Sequence, residues 1–354
     1  MKYAAYCLLT CVLTLAIPAT GFARVASADV ERSGRDQLTI TWSDDNPVDI
    51  YAGDRPDFPM KQAAVVLHDS TSGTYVIAHA GLARRYYILF DRRDRQRIKV
   101  AERLIPLQQG SNFRDIGGYA AAGGKHVRWG LIYRSGAQPL LTSADLDTVH
   151  GLGVSQLVDL RSNEERVIAP SRIVNVPYAA VGYGLADLMR AAPGTPLRNG
   201  ADIYRNFPVL LAPQLKIIFA HLLHETTPIV YNCSAGQDRT GFATAVILGA
   251  LGVPYDTIIA DYHLSTRYRH PEFEMPPFDP ALASGNPALQ MFAAYRSRPD
   301  WNIPQPLMDK DGKPFLGGAF DAIKDKWGSL DAYLQKEIGV SPAQIAQLRR
   351  DYLE

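Results

Sequence analysis

The amino-acid sequence predicts an α/β protein preceded by a small β-sandwich, because its two parts are patterned differently. Residues 29–105 contain short β-patterned runs, at 38–42, 48–51, 64–67, 75–77 and 86–90, separated by turn residues. Strands spaced roughly 8–12 residues apart are typical of a small antiparallel sandwich. From residue 106 onward, apolar strand-like runs alternate with helical periodicity, which indicates a central sheet flanked by helices.

In the second part, caps and apolar runs mark the elements. Strands are predicted at 131–133, 156–160 and 228–231, and helices at 142–150, along 215–222 and at 240–251. Ser162 with Glu165, and Ser341 with Gln344, have the spacing of a capping box, so each pair predicts a helix start. Residues 268–318 are rich in proline and aromatic residues, and we expect them to form a long excursion from the regular core.

Residues 1–28 are predicted to be a signal peptide. Lys2 gives a positive start, residues 4–17 form an apolar run, and Ala26 and Ala28 supply the small residues of a cleavage site. A membrane span needs roughly 20 apolar residues, so we expect cleavage rather than a stable membrane anchor. An uncleaved anchor is the alternative. The protein is therefore expected to be exported, either to the periplasm or out of the cell.

Overall charge argues against one class of partner. The 354 residues carry 37 Lys and Arg against 36 Asp and Glu, which gives a formal net charge of +1. Nucleic-acid binding depends on an excess of clustered positive charge. No nucleic-acid partner is therefore expected.

Cysteine usage singles out one residue. Of three cysteines, Cys7 and Cys11 lie in the predicted signal peptide, so Cys233 would be the only thiol of the mature chain. Exported proteins usually use cysteines in disulfides, and a single cysteine cannot form an internal one. Such a residue is either a buried small apolar side chain or a reactive thiol, and its neighbours decide between the two.

Those neighbours form a loop between a predicted strand and a predicted apolar helix. Residues 232–241 read Asn-Cys-Ser-Ala-Gly-Gln-Asp-Arg-Thr-Gly. Backbone N–H groups of a tight loop at a helix N-terminus form an anion site, and Gly236 and Gly241 allow the close turn. Arg239 can bind two phosphate oxygens at once, while the same field stabilises a thiolate at Cys233. The pattern predicts a phosphate-binding loop with a cysteine nucleophile.

The spacing Cys233-x5-Arg239-Thr240 resembles the loop of the protein tyrosine phosphatase superfamily, in the form typical of its bacterial tyrosine/serine phosphatase branch. Other segments resemble the same branch: Asn112-Phe113-Arg114-Asp115-Ile116-Gly117-Gly118-Tyr119, Tyr133-Arg134-Ser135-Gly136, Asp159-Leu160-Arg161, Asp261-Tyr262 with Ser265, and Trp327-Gly328-Ser329. The resemblance covers residues 107–354 and implies a cysteine-phosphatase-like central sheet flanked by helices. Residues 29–105 resemble a fibronectin type III module. The predicted division is therefore 1–28, 29–105 and 106–354.

The resemblance implies roles for the loop residues. Cys233 would attack phosphorus, Arg239 would hold the phosphate oxygens, and Asp238 would donate the leaving-group proton and then activate water. The other residues expected to bind substrate are Ser234, Ala235, Gly236, Gln237 and Thr240.

Three residues outside the loop are expected to support it. They are Arg114, Asp115 and Asp159, of which Arg114 and Asp115 would brace the loop. Asp115 and Asp159 are also the alternatives to Asp238 as the general acid that protonates the leaving group. A carboxylate that merely pairs with a nearby cation is the alternative interpretation of Asp238.

Together these residues predict a protein tyrosine phosphatase, or a dual-specificity tyrosine/serine phosphatase, that acts through a phosphocysteine on a phosphorylated protein or small phosphomonoester. The alternative enzyme is a phosphoinositide or inositol-phosphate phosphatase. The alternative from another class is a catalytically silent, exported phosphate- or carbohydrate-binding protein. No cofactor or metal is expected, since only Glu225 accompanies the pair His221 and His224. The branch often has Lys where this chain has Gln237, so we expect a preference for singly phosphorylated substrates, with phosphotyrosine first.

Overall fold

The computed structural model describes residues 27–34, 36–188, 200–278 and 286–354. The predicted signal peptide lies outside these ranges except for its last two residues. Ser27 and Ala28 begin strand β1 (Ser27–Ser33) and pair with Ser43 and Trp42. Cleavage after Ala28 would therefore shorten β1 by two residues.

The N-terminal part forms two antiparallel sheets that share one apolar core. The first sheet has the order β1-β2-β5 and the second β4-β3-β6-β7. The remaining strands are β2 (Gln37–Ser43), β3 (Val48–Gly53), β4 (Ala64–Ser70), β5 (Thr74–Ala78), β6 (Tyr86–Asp91) and β7 (Arg97–Ala101). Ile40 of the first sheet and Ile50 of the second are both fully buried in this core.

All five runs predicted in the N-terminal part lie within strands, but β1 and β7 are additional. The sequence of β1 gives a weak signal because Val30 is its one buried residue among polar neighbours. In β7 two basic residues, Arg97 and Lys99, interrupt a run of only five residues.

The second part contains a five-stranded sheet with the order β11-β10-β12-β9-β8. Its strands are β8 (Arg114–Asp115), β9 (Ile132–Ser135), β10 (Gln156–Asp159), β11 (Tyr178–Ala180) and β12 (Ile229–Asn232). Strands β9 to β12 are parallel, and β8 runs antiparallel to β9. Every residue of β12 is buried, as expected for a central parallel strand covered on both faces.

Helices accompany this sheet, as the sequence predicts. They are α1 (Ser143–Gly151), α2 (Asn163–Ile168), α3 (Leu185–Leu188), α4 (Gly200–Tyr204), α5 (Phe207–Leu210), α6 (Ala212–His224), α7 (Asp238–Ala250), α8 (Tyr255–Tyr268), α9 (Pro287–Arg296), α10 (Gly317–Trp327), α11 (Leu330–Tyr333) and α12 (Pro342–Tyr352). The capping boxes predicted at Ser162 and Ser341 are present, and Thr142 forms a third with Asp145. The excursion 268–318 contains α9 and leads into α10.

No single helix in the described ranges is long and apolar enough to cross a bilayer. By length and composition alone, one bent pair of segments, Gly200–Leu210 followed by Ala212–His224, meets the requirement.

The N-terminal sheets contact the second part through charged side chains. Nη2 of Arg84 lies 2.7 Å from Oδ2 of Asp115, and Nη1 of Arg103 donates to the carbonyl oxygens of Asp115 and Gly117. At the C-terminus, Nζ of Lys99 lies 2.5 Å from a carboxylate oxygen of Glu354. These contacts connect the first module to the segment 112–119 and to the C-terminal residue Glu354.

Candidate active site

The cysteine loop joins the central strand β12 to the buried helix α7. Cys233 follows β12 directly and is 1% exposed, so its thiol lies at the base of the loop. Gly236 has a φ of +66°, and a Cβ at this position would lie 2.6 Å from the backbone nitrogen of Gly136. Only glycine fits this turn without displacing the neighbouring backbone.

Donors behind the loop hold its carbonyl groups. Nδ2 of Asn112 donates to the carbonyl oxygens of Ala235 and Gly236, at 3.2 and 2.8 Å. Nη2 of Arg134 donates to the same Gly236 oxygen at 2.7 Å. In a trans peptide the N–H points away from the C=O, so the amides that follow these carbonyls face the opposite side. The loop thereby turns N–H groups toward the pocket, which is the arrangement of an anion site.

A buried charge cluster supports these donors. Nη1 of Arg134 lies 2.7 Å from Oδ2 of Asp261, and Nε of Arg114 lies 3.3 Å from Oδ1. Arg114 also donates to the side-chain oxygen of Asn112. Burial alone would raise the pKa of the Asp261 carboxyl, but Arg114 and Arg134 outweigh it and hold that pKa well below its usual range. Arg114 therefore lies behind the loop and braces Asn112.

The other two supporting residues, Asp115 and Asp159, are acids that accept hydrogen bonds from fixed donors. Asp115 accepts hydrogen bonds from the backbone of Gly117 and Gly130 besides pairing with Arg84. Asp159 pairs with Arg161 at 2.6 Å and accepts from the hydroxyl of Tyr178 at 2.8 Å. Neither acid lines the pocket above the loop.

Arg239 is held by a residue that sequence reasoning assigned only to a helix cap. Nη1 and Nη2 of Arg239 each lie 2.7 Å from an oxygen of Glu165, in a bidentate pair. Oγ of Ser234 donates to the same carboxylate at 2.6 Å. The capping box also fixes Glu165 through the backbone nitrogen of Ser162. The sequence therefore predicted where Glu165 lies on its helix, but it did not indicate that Glu165 pairs with Arg239.

Electrostatics keep both members of this pair charged. Burial alone would raise the pKa of Glu165, but Arg239, Ser234 and the Ser162 amide lower it to about 2. Burial opposes the charge of Arg239 as well, yet Glu165 and Tyr183 hold its pKa well above the usual value. The guanidinium is therefore fixed and charged beside the loop.

Asp238 is the first residue of α7 and is half-buried at the rim of the pocket. Its Oδ1 accepts a hydrogen bond from the hydroxyl of Tyr204, which lies 2.6 Å from the hydroxyl of Tyr262. Burial and then the Asp238 charge raise the pKa of Tyr204 well above its usual value, so Tyr204 remains a neutral donor. Within the described ranges Asp238 has no cationic partner at ion-pair distance, but its charge is among the influences that raise the pKa of Arg269. The acid role of Asp238 therefore stays a prediction.

The structure corrects the reasoning about Gln237. The related branch often has Lys at this position, and its replacement by a neutral residue was the reason to expect a preference for singly phosphorylated substrates. In the structure, Nη1 of Arg269 donates to Oε1 of the buried Gln237 at 2.8 Å. Glu274 fixes Arg269 through two further hydrogen bonds of 2.8 and 2.9 Å. Arg269 comes from the excursion 268–318, and its proximity to the loop could not be read from the sequence.

A pocket of about 260 Å³ opens above the loop. The loop contributes Ser234, Ala235, Asp238 and Arg239, and the opposite walls are largely apolar and aromatic. These walls include Leu185, Leu188, Met275, Met291, Phe292, Tyr295 and Trp301. Thr240 lies behind the loop, fully buried, and its hydroxyl has no hydrogen-bond partner in the part of the chain that the structure describes.

No group of three or more His, Cys, Asp or Glu side chains suited to holding a metal ion occurs in the described ranges.

A cysteine at the end of a central parallel strand, followed by an amide-lined loop and a fixed arginine, defines the class of cysteine-dependent phosphatases. Residues 105–354 match the model of the tyrosine phosphatase family. The chain therefore belongs to the tyrosine phosphatase family, and it is an enzyme that hydrolyses phosphoric monoesters.

Named relatives agree with this assignment. The chain is 33% identical over 256 residues to a Cupriavidus necator protein named as a tyrosine-protein phosphatase, covering 69% of this chain and 86% of that one. It is 27% identical over 276 residues to the triple specificity protein phosphatase PtpB of Mycobacterium tuberculosis, covering 67% and 95%. A tyrosine-protein phosphatase of Nostoc commune is 27% identical over 216 residues, covering 59% and 69%.

Proposed function

We propose that Cys233, Arg239 and Asp238 carry the phosphatase reaction of this chain and that phosphotyrosine in proteins is the preferred substrate. The observation that carries the proposal is the fixed geometry around one thiol. Cys233 lies at the base of an amide-lined loop, and Glu165 clamps the guanidinium of Arg239 in a bidentate pair. Phosphoryl transfer gains most of its rate from such positioning and electrostatics.

In the first step the loop amides and Arg239 hold the three non-bridging phosphate oxygens. The sulfur of Cys233 attacks phosphorus in line, so that a P–S bond forms while the P–O bond to the leaving group breaks. Asp238 transfers its proton to the departing oxygen, as a general acid at the pocket rim can. The product is a phosphocysteine and a free alcohol or phenol.

In the second step Asp238 acts as a base. It takes a proton from a water molecule whose oxygen attacks phosphorus, and the P–S bond breaks to release phosphate. We expect the hydroxyl of Thr240, which has no other hydrogen-bond partner in the described ranges, to donate to the sulfur as negative charge returns there. Tyr204 holds the carboxylate in position throughout.

The pocket walls support the choice of phosphotyrosine. Phe292, Tyr295 and Trp301 give the aryl ring an apolar surface to pack against. One relative, PtpB, is named a triple specificity phosphatase, so we propose that serine and threonine phosphates are also hydrolysed, but more slowly.

The test compares Cys233→Ser with wild type in turnover of p-nitrophenyl phosphate and in binding of phosphotyrosine. We expect turnover to be lost while binding remains, because the amides and Arg239 are unchanged. Arg239→Lys should weaken both, since a single ammonium cannot replace the fork. Activity should also survive EDTA. Substantial turnover by Cys233→Ser would overturn the assignment of the nucleophile.

The role of Asp238 is tested with two leaving groups. Asp238→Asn should slow an alkyl phosphate far more than p-nitrophenyl phosphate, whose leaving group needs little protonation. Equal slowing of both substrates would remove the acid role from Asp238 and reopen it for Asp115 and Asp159.

We also propose that the protein is exported by cleavage of its first residues. The apolar run 4–17 and the small residues Ala26 and Ala28 support this. Cell fractionation of the full chain, with N-terminal sequencing of the exported form, tests it. Retention of Met1 in the cytosolic fraction would contradict the proposal.

A further inference from the structure

One wall of the pocket is built from three aromatic residues, Phe292, Tyr295 and Trp301, which we call the aromatic wall. The hydroxyl of Tyr295 donates to the carbonyl of Trp301 at 2.7 Å, and Nη2 of Arg269 lies 3.4 Å from the same hydroxyl. Through Arg269 and its contact with Gln237, the wall is connected to the catalytic loop. The wall therefore has a defined position relative to a phosphate bound in that loop.

Arg296 lies on this wall and differs from the other two arginines of the pocket. Arg239 is paired with Glu165, and Arg269 is paired with Glu274. Arg296 has no carboxylate partner at ion-pair distance in the ranges that the structure describes. This leaves one cation of the pocket without a counter-charge.

The contacts of Arg296 orient it without neutralising it. Its Nη2 donates to the carbonyl oxygen of Met275 at 2.7 Å, and its guanidinium stacks near the rings of Trp301 and Phe278, at 5.3 and 5.9 Å from their centroids. These contacts use a small part of its five N–H donors. Partial burial lowers the pKa of Arg296, which agrees with a cation that lacks an anionic neighbour.

The chemistry of the pocket selects the anion that would complete this site. An inositol ring carries hydroxyl groups that need hydrogen-bond partners, whereas the walls here are mostly apolar. The aryl ring of phosphotyrosine suits them. A second negative charge on such a substrate comes from a carboxylate side chain beside the phosphotyrosine.

We propose that Arg296 is a specificity-determining residue that binds the carboxylate of an acidic residue adjacent to phosphotyrosine in a peptide substrate. The proposal rests on the proposed function, since it presumes phosphotyrosine in the loop. A charge-assisted hydrogen bond between guanidinium and carboxylate supplies the preference. Because the guanidinium is partly exposed, we expect a moderate effect that weakens with salt.

The test measures kcat/KM for two phosphotyrosine peptides that differ only in the residues flanking the phosphotyrosine, Asp and Glu in one and Asn and Gln in the other. Wild type should prefer the acidic peptide by about fivefold at low ionic strength. In Arg296→Met this ratio should fall to about one. Arg298→Met is the matched control, because Arg298 is paired with Asp300 and does not line the pocket, and it should keep the wild-type ratio.

The outcomes separate the inference from the function on which it rests. Hydrolysis of the neutral peptide by wild type without any acidic preference would overturn the role of Arg296 while leaving the proposed function intact. The role of Arg296 would also be overturned if Arg298→Met lowers the ratio as much as Arg296→Met does, because the preference for the acidic peptide would then come from long-range charge. If Arg296→Met instead lowers turnover of a multiply phosphorylated inositol lipid in vesicles and leaves the peptide ratio unchanged, the proposed occupant is wrong. Failure to hydrolyse either peptide would refute the proposed function itself.

Discussion

Two buried arginine–carboxylate clusters flank the cysteine loop, and they differ in what surrounds them. The rear cluster, Asp261 with Arg114 and Arg134, is enclosed by protein, and its side chains are at most 1% exposed. The pocket cluster, Glu165 with Arg239, borders the cavity, and its side chains are 4% and 7% exposed. Arginine–carboxylate ion pairs therefore lie on both sides of the same loop.

The difference shows how the loop divides its tasks. The rear cluster positions the donors that hold the loop carbonyls on the side away from the pocket. Because substrate does not reach that side, we expect these hydrogen bonds to stay the same when substrate binds. In the pocket cluster, Arg239 must offer donors to phosphate while Glu165 keeps it oriented. We therefore expect changes in the rear cluster to affect stability most, and changes in the pocket cluster to affect catalysis most.

The largest effect is expected for Asp261→Asn. This change leaves Arg114 and Arg134 buried without their carboxylate, which costs about 3–5 kcal/mol in the free energy of unfolding. Urea denaturation followed by circular dichroism measures it. Asp256→Asn, at an exposed position of the same helix, is the control and should change that energy by less than about 0.5 kcal/mol. A similar small change for Asp261→Asn would show that the rear cluster does not support the fold.

Glu165→Gln should act mainly on catalysis. Without its carboxylate partner Arg239 loses its orientation, and kcat for p-nitrophenyl phosphate should fall by up to about 100-fold. Water in the pocket can solvate the freed guanidinium, so the loss of stability should be smaller than for Asp261→Asn. Glu164→Gln on the same helix keeps an oxygen that can accept from the Leu185 backbone and should retain activity. The comparison fails if Glu165→Gln unfolds the protein while sparing kcat.

Acid should weaken the ion pair of the pocket cluster. The pKa of Glu165 is lowered from 4.5 to about 2, so its charge stabilises the fold fully above pH 4.5, and this contribution is lost as the pH falls toward 2. The free energy of unfolding, measured between pH 6 and pH 2.5, should fall less steeply in Glu165→Gln than in wild type. Identical slopes would contradict the pairing.

The smallest effect is expected for Gln237→Lys. Arg269 already places a guanidinium against this position, so a lysine adds a like charge where a cation stands. We expect the ratio of kcat/KM for phosphoinositides to that for a phosphotyrosine peptide to change by less than about threefold. We expect a larger rise of this ratio only when Gln237→Lys is combined with Arg269→Met, because the double change removes the guanidinium that already faces position 237. A tenfold rise in Gln237→Lys alone would show that Arg269 does not act at this site.

Sequence reasoning found what depends on neighbours along the chain. The loop 233–239 and its flanking strand and helix were predicted because they form one contiguous segment, and the capping boxes at Ser162 and Ser341 follow from local spacing. Strand β1 was missed because it has a single buried residue, so its pairing with β2 decides its structure more than its pattern does.

Contacts between distant segments could not be predicted. The pair of Glu165 with Arg239 joins residues 74 positions apart, and the contact of Arg269 with Gln237 joins residues 32 apart. Each depends on how helices and the excursion 268–318 pack over the sheet, which local patterns do not encode. The neutral residue at position 237 was therefore interpreted without the cation that faces it.

The contact of Arg84 with Asp115 has a consequence for the autonomy of the catalytic part. Burial raises the pKa of the Asp115 carboxyl, and Arg84, from the N-terminal module, is the strongest influence opposing that rise. A fragment beginning near residue 105 would keep the cysteine loop but lose this counter-ion, together with the caps that Arg103 places on two carbonyls of the segment 115–117. The two parts should accordingly melt as one cooperative unit in calorimetry, because the N-terminal part supplies a buried counter-ion that the catalytic part lacks by itself.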